Sequence, residues 1–296
     1  QSASTATAST KPGFVESQQA NVPKLVSIDN NGGQYYNKLH FVVDKQNNPT
    51  DATYLVSVST DNFVSDIRYV QSDGTLTNTI STSQYRTYSG WGSTSGSLMI
   101  GLLPSTTYSV RLKATQGQFT ESAYGPASSQ ATAAPSLTFS LVTSASASPP
   151  YIVGLGTLIA GSINTTADTV NTSFSTNGTS GGNVYISGKN GGLLSGSTGY
   201  KINAVSSDLT SVSEGFGAQN SSISQSSGGP YTVASPYNVS GTNVGIVGAI
   251  TRSLYSSSLP VSGGSGVLVL KAKSATTDIA ASDYQEILTF VAAGNF

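Results

Sequence analysis

The sequence predicts an all-β chain: two tandem β-sandwich domains preceded by an extended N-terminal tail. Three observations carry that reading. Apolar residues alternate with polar ones at period two, as in Leu39, Phe41 and Val43, and again in Tyr108, Val110, Leu112 and Ala114. Clusters of Gly, Asn, Asp and Ser punctuate these runs, and no stretch carries a helical repeat. The 296 residues suffice for two domains of roughly 100–160 residues, each able to bury a core without metals or disulfides.

Residues 1–21 are low-complexity Ser, Thr, Ala and Gln, with Phe14 and Val15 as the large apolar side chains. The small residues Ser2, Ala3, Ser4, Thr5, Ala6, Thr7 and Ala8 suit a strand added to a neighbouring subunit's sheet, with Phe14 and Val15 as anchors. Residues 22–134 form the first predicted sandwich. Leu25 to Ile28 runs into the turn Asp29-Asn30-Asn31-Gly32-Gly33, Tyr54, Val56 and Val58 alternate, and Ser72-Asp73-Gly74 signals a hairpin. Ala133-Ala134-Pro135 marks the boundary, and residues 135–296 form the second sandwich. It opens on Leu137, Phe139 and Leu141 and ends with the alternations at Leu268, Leu270, Ala272 and at Leu288, Phe290, Ala292. The Ser/Gly/Asn-rich stretch Gln219 to Gly229 reads as a surface connection.

Composition argues against catalysis. The chain has one His, no Cys, 14 acids and 13 bases beside 85 Ser plus Thr. Charged residues make up 9%, against about 25% in an ordinary soluble domain. The net charge of −1 offers no electrostatic footprint for nucleic acid. The apolar run Tyr151 to Ile163 is broken by Gly and is shorter than the ~18 residues a membrane span requires. The first residue, Gln1, reads as the start of a trimmed, exported chain.

The segment Leu103-Pro104-Ser105-Thr106-Thr107-Tyr108-Ser109-Val110-Arg111-Leu112-Lys113-Ala114 resembles the penultimate strand of fibronectin type III domains. Ser122-Ala123-Tyr124-Gly125-Pro126 with Ser128 to Thr132 resembles their final strand. The resemblance spans residues 22–133 and implies that Tyr108 is structural, pinning a corner by donating its hydroxyl to nearby backbone. The early buried Trp of that family is missing, a place Phe41 is expected to take, and there is no Arg-Gly-Asp tripeptide. In the second domain, Gly156-Thr157-Leu158, Asn183 to Ile186, Glu214-Gly215-Phe216-Gly217 and Asp283-Tyr284 to Phe290 are similar to C-terminal sandwich domains of predicted bacterial surface proteins.

Few residues invite chemistry. His40 lies in an alternating strand with no Cys and few carboxylates to recruit for a triad or metal site. Glu214, Asp208 and Glu121 are the carboxylates a glycosidase pair would draw on, but Glu214, flanked by Gly, is expected to bond turn backbone. Acids are too sparse for a calcium loop. Tyr85, Tyr88 and Trp91, spaced by three in a turn-rich stretch, form a candidate patch for stacking on glycans or anchoring an interface. Asn164, Asn171, Asn177, Asn220 and Asn238 head sequons, a number that this composition yields by chance but that falls wholly in the second domain.

The expectation is therefore a secreted, non-enzymatic structural subunit of an extracellular filament, pilus or surface layer. Its partners would be identical subunits joined through the N-terminal tail, with no cofactor, metal, nucleic acid or membrane span. The alternative is a surface adhesin that binds carbohydrate or matrix through the aromatic patch.

Overall fold

The computed structural model describes residues 19–117 and 120–296. Ser2, Ala3, Ser4, Thr5, Ala6, Thr7, Ala8, Phe14 and Val15 lie outside the described residues. The fold is all-β, and the chain divides into two compact units between Ala134 and Pro135.

The first unit holds β1 (Lys24–Asp29), β2 (Lys38–Asp44), β3 (Thr53–Ser59), β4 (Arg68–Val70), β5 (Leu76–Thr77), β6 (Arg86–Thr87), β7 (Ser97–Ile100), β8 (Thr107–Thr115) and β9 (Ser128–Ala131). One sheet has the order β1-β2-β7. The other runs β5-β4-β3-β8-β9, with β6 also on β3. This is a β-sandwich, as the fibronectin type III resemblance implies. The alternation along β8 turns Tyr108, Val110, Leu112 and Ala114 into the core, and Ser109, Arg111 and Lys113 away from it. Phe41 is fully buried, and the ring of Trp91 meets it edge-on at 5.6 Å between centroids. The indole N–H of Trp91 donates to the Tyr54 carbonyl at 2.8 Å, so the burial of Trp91 strands no polar atom.

Two expectations for this unit change. The Tyr108 hydroxyl accepts rather than donates: the Leu103 N–H donates to it at 2.8 Å and so pins the turn before β8. Residues 19–21 belong to the domain and not to a tail. Ala20 is buried, its N–H donates to the Thr120 carbonyl at 3.3 Å, and Gln19 Nε2 donates to the Glu121 carbonyl at 2.8 Å. Asn21 and Asn48 exchange two bonds, Asn21 N–H to Asn48 Oδ1 at 2.7 Å and Asn48 Nδ2 to the Asn21 carbonyl at 2.8 Å.

The second unit holds β10 (Leu137–Thr143), β11 (Ile163–Thr165), β12 (Val170–Thr176), β13 (Gly182–Gly188), β14 (Gly192–Ser195), β15 (Lys201–Asn203), β16 (Ser207–Asp208) and β17 (Gly215–Ser224). It continues with β18 (Ser227–Gly228), β19 (Tyr231–Val233), β20 (Asn243–Val244), β21 (Arg252–Ser257), β22 (Val261–Lys273), β23 (Tyr284–Gln285) and β24 (Leu288–Gly294). Strand β22 is the centre of one sheet. It pairs with β12 and β11 along one edge and with β17 and β18 along the other, while β10 extends the sheet beyond β12. The facing sheet has the order β19-β21-β13-β24. Short pairings β15-β14-β23 and β16-β20 flank the sandwich.

The core between these sheets gathers Phe174, Val184, Ile186, Phe216, Leu254 and Leu268. Phe174 stacks on Tyr231 at 5.7 Å, and Tyr231 meets Tyr255 at 5.4 Å. Gly266 makes room for this aromatic row, because a Cβ there would lie 2.3 Å from the Tyr255 ring. Gln219 to Gly229 is not wholly a connection, since β17 runs on through Ser224 along β22. Its polar residues are held there by main-chain bonds, with a bulge between Asn220 and Ser222.

The Tyr108 corner yields a measurable prediction. Tyr108→Phe leaves the Leu103 N–H without its partner and is expected to destabilise the first domain by about 1 kcal/mol. Urea unfolding followed by fluorescence of the single Trp, Trp91, reads this domain directly. An unchanged midpoint would remove the corner from the account of stability.

Candidate functional site

The aromatic trio does not form a patch. Residues 87–93 curl through main-chain bonds from Trp91 N–H to Thr87, Gly92 N–H to Ser89 and Ser93 N–H to Tyr88. That curl turns Trp91 inward until it is 1% exposed. Tyr85 and Tyr88 stay half-buried, and a cation lies over each of the three rings. Lys113 sits 5.9 Å from Tyr85, Lys45 5.9 Å from Tyr88 and Arg86 4.9 Å from Trp91. The Tyr85 hydroxyl donates to Glu121, which also pairs with Lys113 at 2.8 Å. Partial burial, then the Glu121 bond, pushes the Tyr85 hydroxyl up to about 12. Beside it, Arg111 lies between the rings of Phe63 and Tyr124, at 3.9 and 4.1 Å. Arg111 and Lys113 thus make a cation–aromatic ladder over the outer face of β8, and the burial of Trp91 removes it from a sugar-stacking patch.

His40 is likewise engaged on both sides. Its Nδ1 lies 3.2 Å from Asp29 and its Nε2 2.8 Å from the Ser95 carbonyl, so the ring ties β1 and the turn at 93–95 to β2. Of the sequon residues, Asn177 is buried and its Oδ1 accepts from the Ser136 N–H, which removes it as a glycan acceptor. The Asn164 amide donates to the carbonyls of Leu155 and Thr157, and the Asn220 amide meets the Tyr255 hydroxyl at 2.9 Å. Asn171 is half-buried and Asn238 is exposed. A second domain clad in glycans at all five positions does not fit this geometry.

One feature of the second sandwich stands out for its apolar lining. A groove of about 1100 Å³ is floored by core residues, among them Leu141, Val170, Phe216, Leu270, Leu288 and Phe290. Its flanks are the edge strands β10 and β24. Among the described residues, β10 pairs only with β12 and β24 only with β13. Between β10 and β11 the apolar run of residues 151–160 passes over the groove as an irregular cover. Val153, Leu155 and Leu158 pack against the core, while Ile152 is 70% and Ile159 63% exposed. No backbone N–H of residues 151–160 donates a hydrogen bond to another described residue. The cover is held by apolar side chains and by the Asn164 amide on the Leu155 and Thr157 carbonyls, without a ladder.

Asp278 and Glu286 line the groove, and Glu214 and Asp283 lie near Tyr284 on its wall. The Tyr200 hydroxyl lies 2.9 Å from both Glu214 Oε2 and Asp278 Oδ1, and Asp278 Oδ2 accepts from the Ala275 N–H. Asp283 accepts from the Ser195 and Ser197 hydroxyls, and Glu286 from the N–H groups of Asn190 and Gly192. Burial, then the adjacent Asp278 carboxyl, raises Glu214 above its ordinary value. The bonds to Asp278 and Glu214 push the Tyr200 hydroxyl well above the usual phenol range. Asp283 is held low, first by Ser195. Glu214 thus bonds a tyrosine and a second acid, where sequence reasoning expected turn backbone.

The other two sequence candidates lie apart from it. Glu121 is in the first domain, and Asp208 closes a turn by accepting from Thr210 and Thr242. The partners Tyr200, Asp278 and Tyr284 come from distant parts of the chain, with no sequence signal linking them to Glu214. Among the described residues, no three His, Cys, Asp or Glu are placed to hold a metal ion. No helix among them is long and apolar enough to cross a membrane.

No protein family matches the chain, and no curated protein matches it significantly. Among solved structures, it is similar to the solution structure of a fibronectin type III domain derived from the human KIAA0970 protein. That likeness has 14% identity and a TM-score of 0.28, and covers 48% of this chain and 89% of the other. The strand order of the first unit, rather than this likeness, defines its sandwich.

The raised Glu214 gives a pH signature. Between its ordinary value of 4.5 and its higher folded value, the folded state binds more protons than the unfolded one. Stability from this group therefore falls as pH rises through that window. Asp283 and Asp208 are lowered from 3.8, so their contributions change only at more acid pH. Calorimetry of the second domain from pH 4.5 upward should show the fall in wild type and a flatter profile in Glu214→Gln. Identical slopes would contradict it.

Proposed function

We propose that the chain is a secreted structural subunit of an extracellular assembly, such as a filament, pilus or surface layer. In this reading, its second sandwich accepts a β-strand from an identical subunit. The observation that carries it is the apolar groove between the unpaired edges of β10 and β24. Exposed strand edges beside an accessible apolar core are where added strands bind: main-chain bonds supply affinity and side-chain pockets supply register. The cover at residues 151–160 fills part of this space without using either edge.

The chemistry supports a non-catalytic role. Glu214 and Asp278 lie against each other and share the Tyr200 hydroxyl. Glycosidase carboxylates stand about 5 Å or more apart, to leave room for the sugar or a water. The reading calls for no cofactor and no nucleic acid. Export is inferred from the low charge and the Ser/Thr-rich composition. The adhesin alternative relied on exposed rings at Tyr85, Tyr88 and Trp91, and the cations over those rings do not favour it.

Light scattering coupled to size exclusion, with negative-stain microscopy, tests the proposal. The full chain is expected to form concentration-dependent linear polymers. A variant lacking residues 1–15 should remain monomeric, with both domains folded by circular dichroism and Trp91 fluorescence. A full chain that stays monomeric at high concentration, or a truncated chain that polymerises equally well, would sink the reading.

A further inference from the structure

We infer that the groove of the second sandwich receives residues Lys11 to Val15 from a second copy of the chain. Phe14 and Val15 enter the apolar floor, and Lys11 lies against the carboxylates of the groove's lining, Asp278 and Glu286. This rests on the strand-acceptor reading above and specifies its contact.

Charge complementarity selects the occupant. Residues 1–18 contain a single base, Lys11, and a single acid, Glu16, on either side of Phe14 and Val15. The second domain carries six carboxylates; Asp278 and Glu286 line the groove, and Glu214 and Asp283 lie near Tyr284, which lines it as well. Among the described residues, all four ion pairs of the chain lie in the first domain, so these acids have no cationic partner. Their hydrogen bonds come from neutral donors such as Tyr200, Ser195 and the Asn190 N–H. A docked lysine supplies the missing charge, and Glu16, on the far side of the anchors, favours the orientation that holds it away from the cluster.

The covalent layout agrees. Pro12-Gly13 reads as a turn dipeptide between the small-residue stretch Ser2 to Thr10 and the anchors. That stretch can run along an edge of the acceptor while Phe14 and Val15 drop into the groove. Val15 is four residues from Gln19, which is fastened to the donor's first domain. Four extended residues reach at most about 14 Å, so the donor's first domain must sit beside the acceptor's second domain. The contact is head-to-tail and leaves each copy with a free groove or a free tail, the condition for an open polymer rather than a closed pair.

The absence of Cys from the chain makes cross-linking unambiguous. One copy carries Phe14→Cys. The other carries Ile287→Cys, at a groove-lining position that is 53% exposed. The two are mixed and oxidised, with each alone as control. A disulfide joining the two different chains is expected. Polymerising wild type with no such cross-link would overturn this contact while leaving strand addition at another edge in place. Wild type that never polymerises would overturn the parent reading instead. Both substitutions placed in one chain should again give linked chains, and closure within a monomer would show the segment in its own groove and overturn the proposal. Lys11→Glu should raise the concentration for half-assembly at least tenfold at low salt, the difference shrinking as salt screens the cluster. An unchanged concentration would remove Lys11 from the contact.

Discussion

The second domain depends on one strand. Along its 13 residues β22 is bonded on both edges, to β12 and β11 on one side and to β17 and β18 on the other. Its inward face supplies Val261, Leu268, Leu270 and Ala272 to the core, and Gly266 yields space to the Tyr255 ring. A strand so placed carries the core and the ladder at once, and the rest of the sheet is arranged around it. The groove opens between the edge strands β10 and β24, with Leu270 of β22 in its floor. The groove is thus a consequence of where the ladder ends rather than a defect in packing.

The few charges are spent differently in the two domains. In the first, cations lie over aromatic rings, so Arg111 and Lys113 extend the packing of β8 outward across Tyr124. Guanidinium and ammonium groups used this way contribute contact as well as charge. In the second, carboxylates serve as acceptors for hydroxyls and turn N–H groups, where a neutral amide would be a weaker acceptor. Both arrangements suit a chain whose polar economy rests on Ser and Thr.

What the sequence made legible was whatever repeats locally. Leu39, Phe41 and Val43, Tyr108 to Ala114, and Leu268 to Ala272 lie in buried strands because period-two alternation is a property of neighbours. Tyr108 was legible as a corner residue, although the direction of its bond was not, since a hydroxyl both donates and accepts. Trp91 was misread for the opposite reason. Its neighbours are turn formers, and only the distant Tyr54 carbonyl makes its burial favourable. The pairing of Glu214 with Asp278 and Tyr200 spans 78 residues between Tyr200 and Asp278 alone, and no local pattern records a contact of that separation. The groove was equally invisible, because an empty space is the joint product of two sheets.

The fastening of residues 19–21 has a mechanical consequence. A load drawn through the segment before Gln19 reaches the first domain at the bonds to Glu121, Thr120 and Asn48, of which the Gln19 bond is exposed and the others flank the buried Ala20. These bonds are few and lie outside the core strands, so they are the ones to part first. Releasing three residues adds about 10 Å of chain while β3 and β8 keep their ladder intact. The junction would then behave as a short extensible link, absorbing small displacements before any sandwich bears tension.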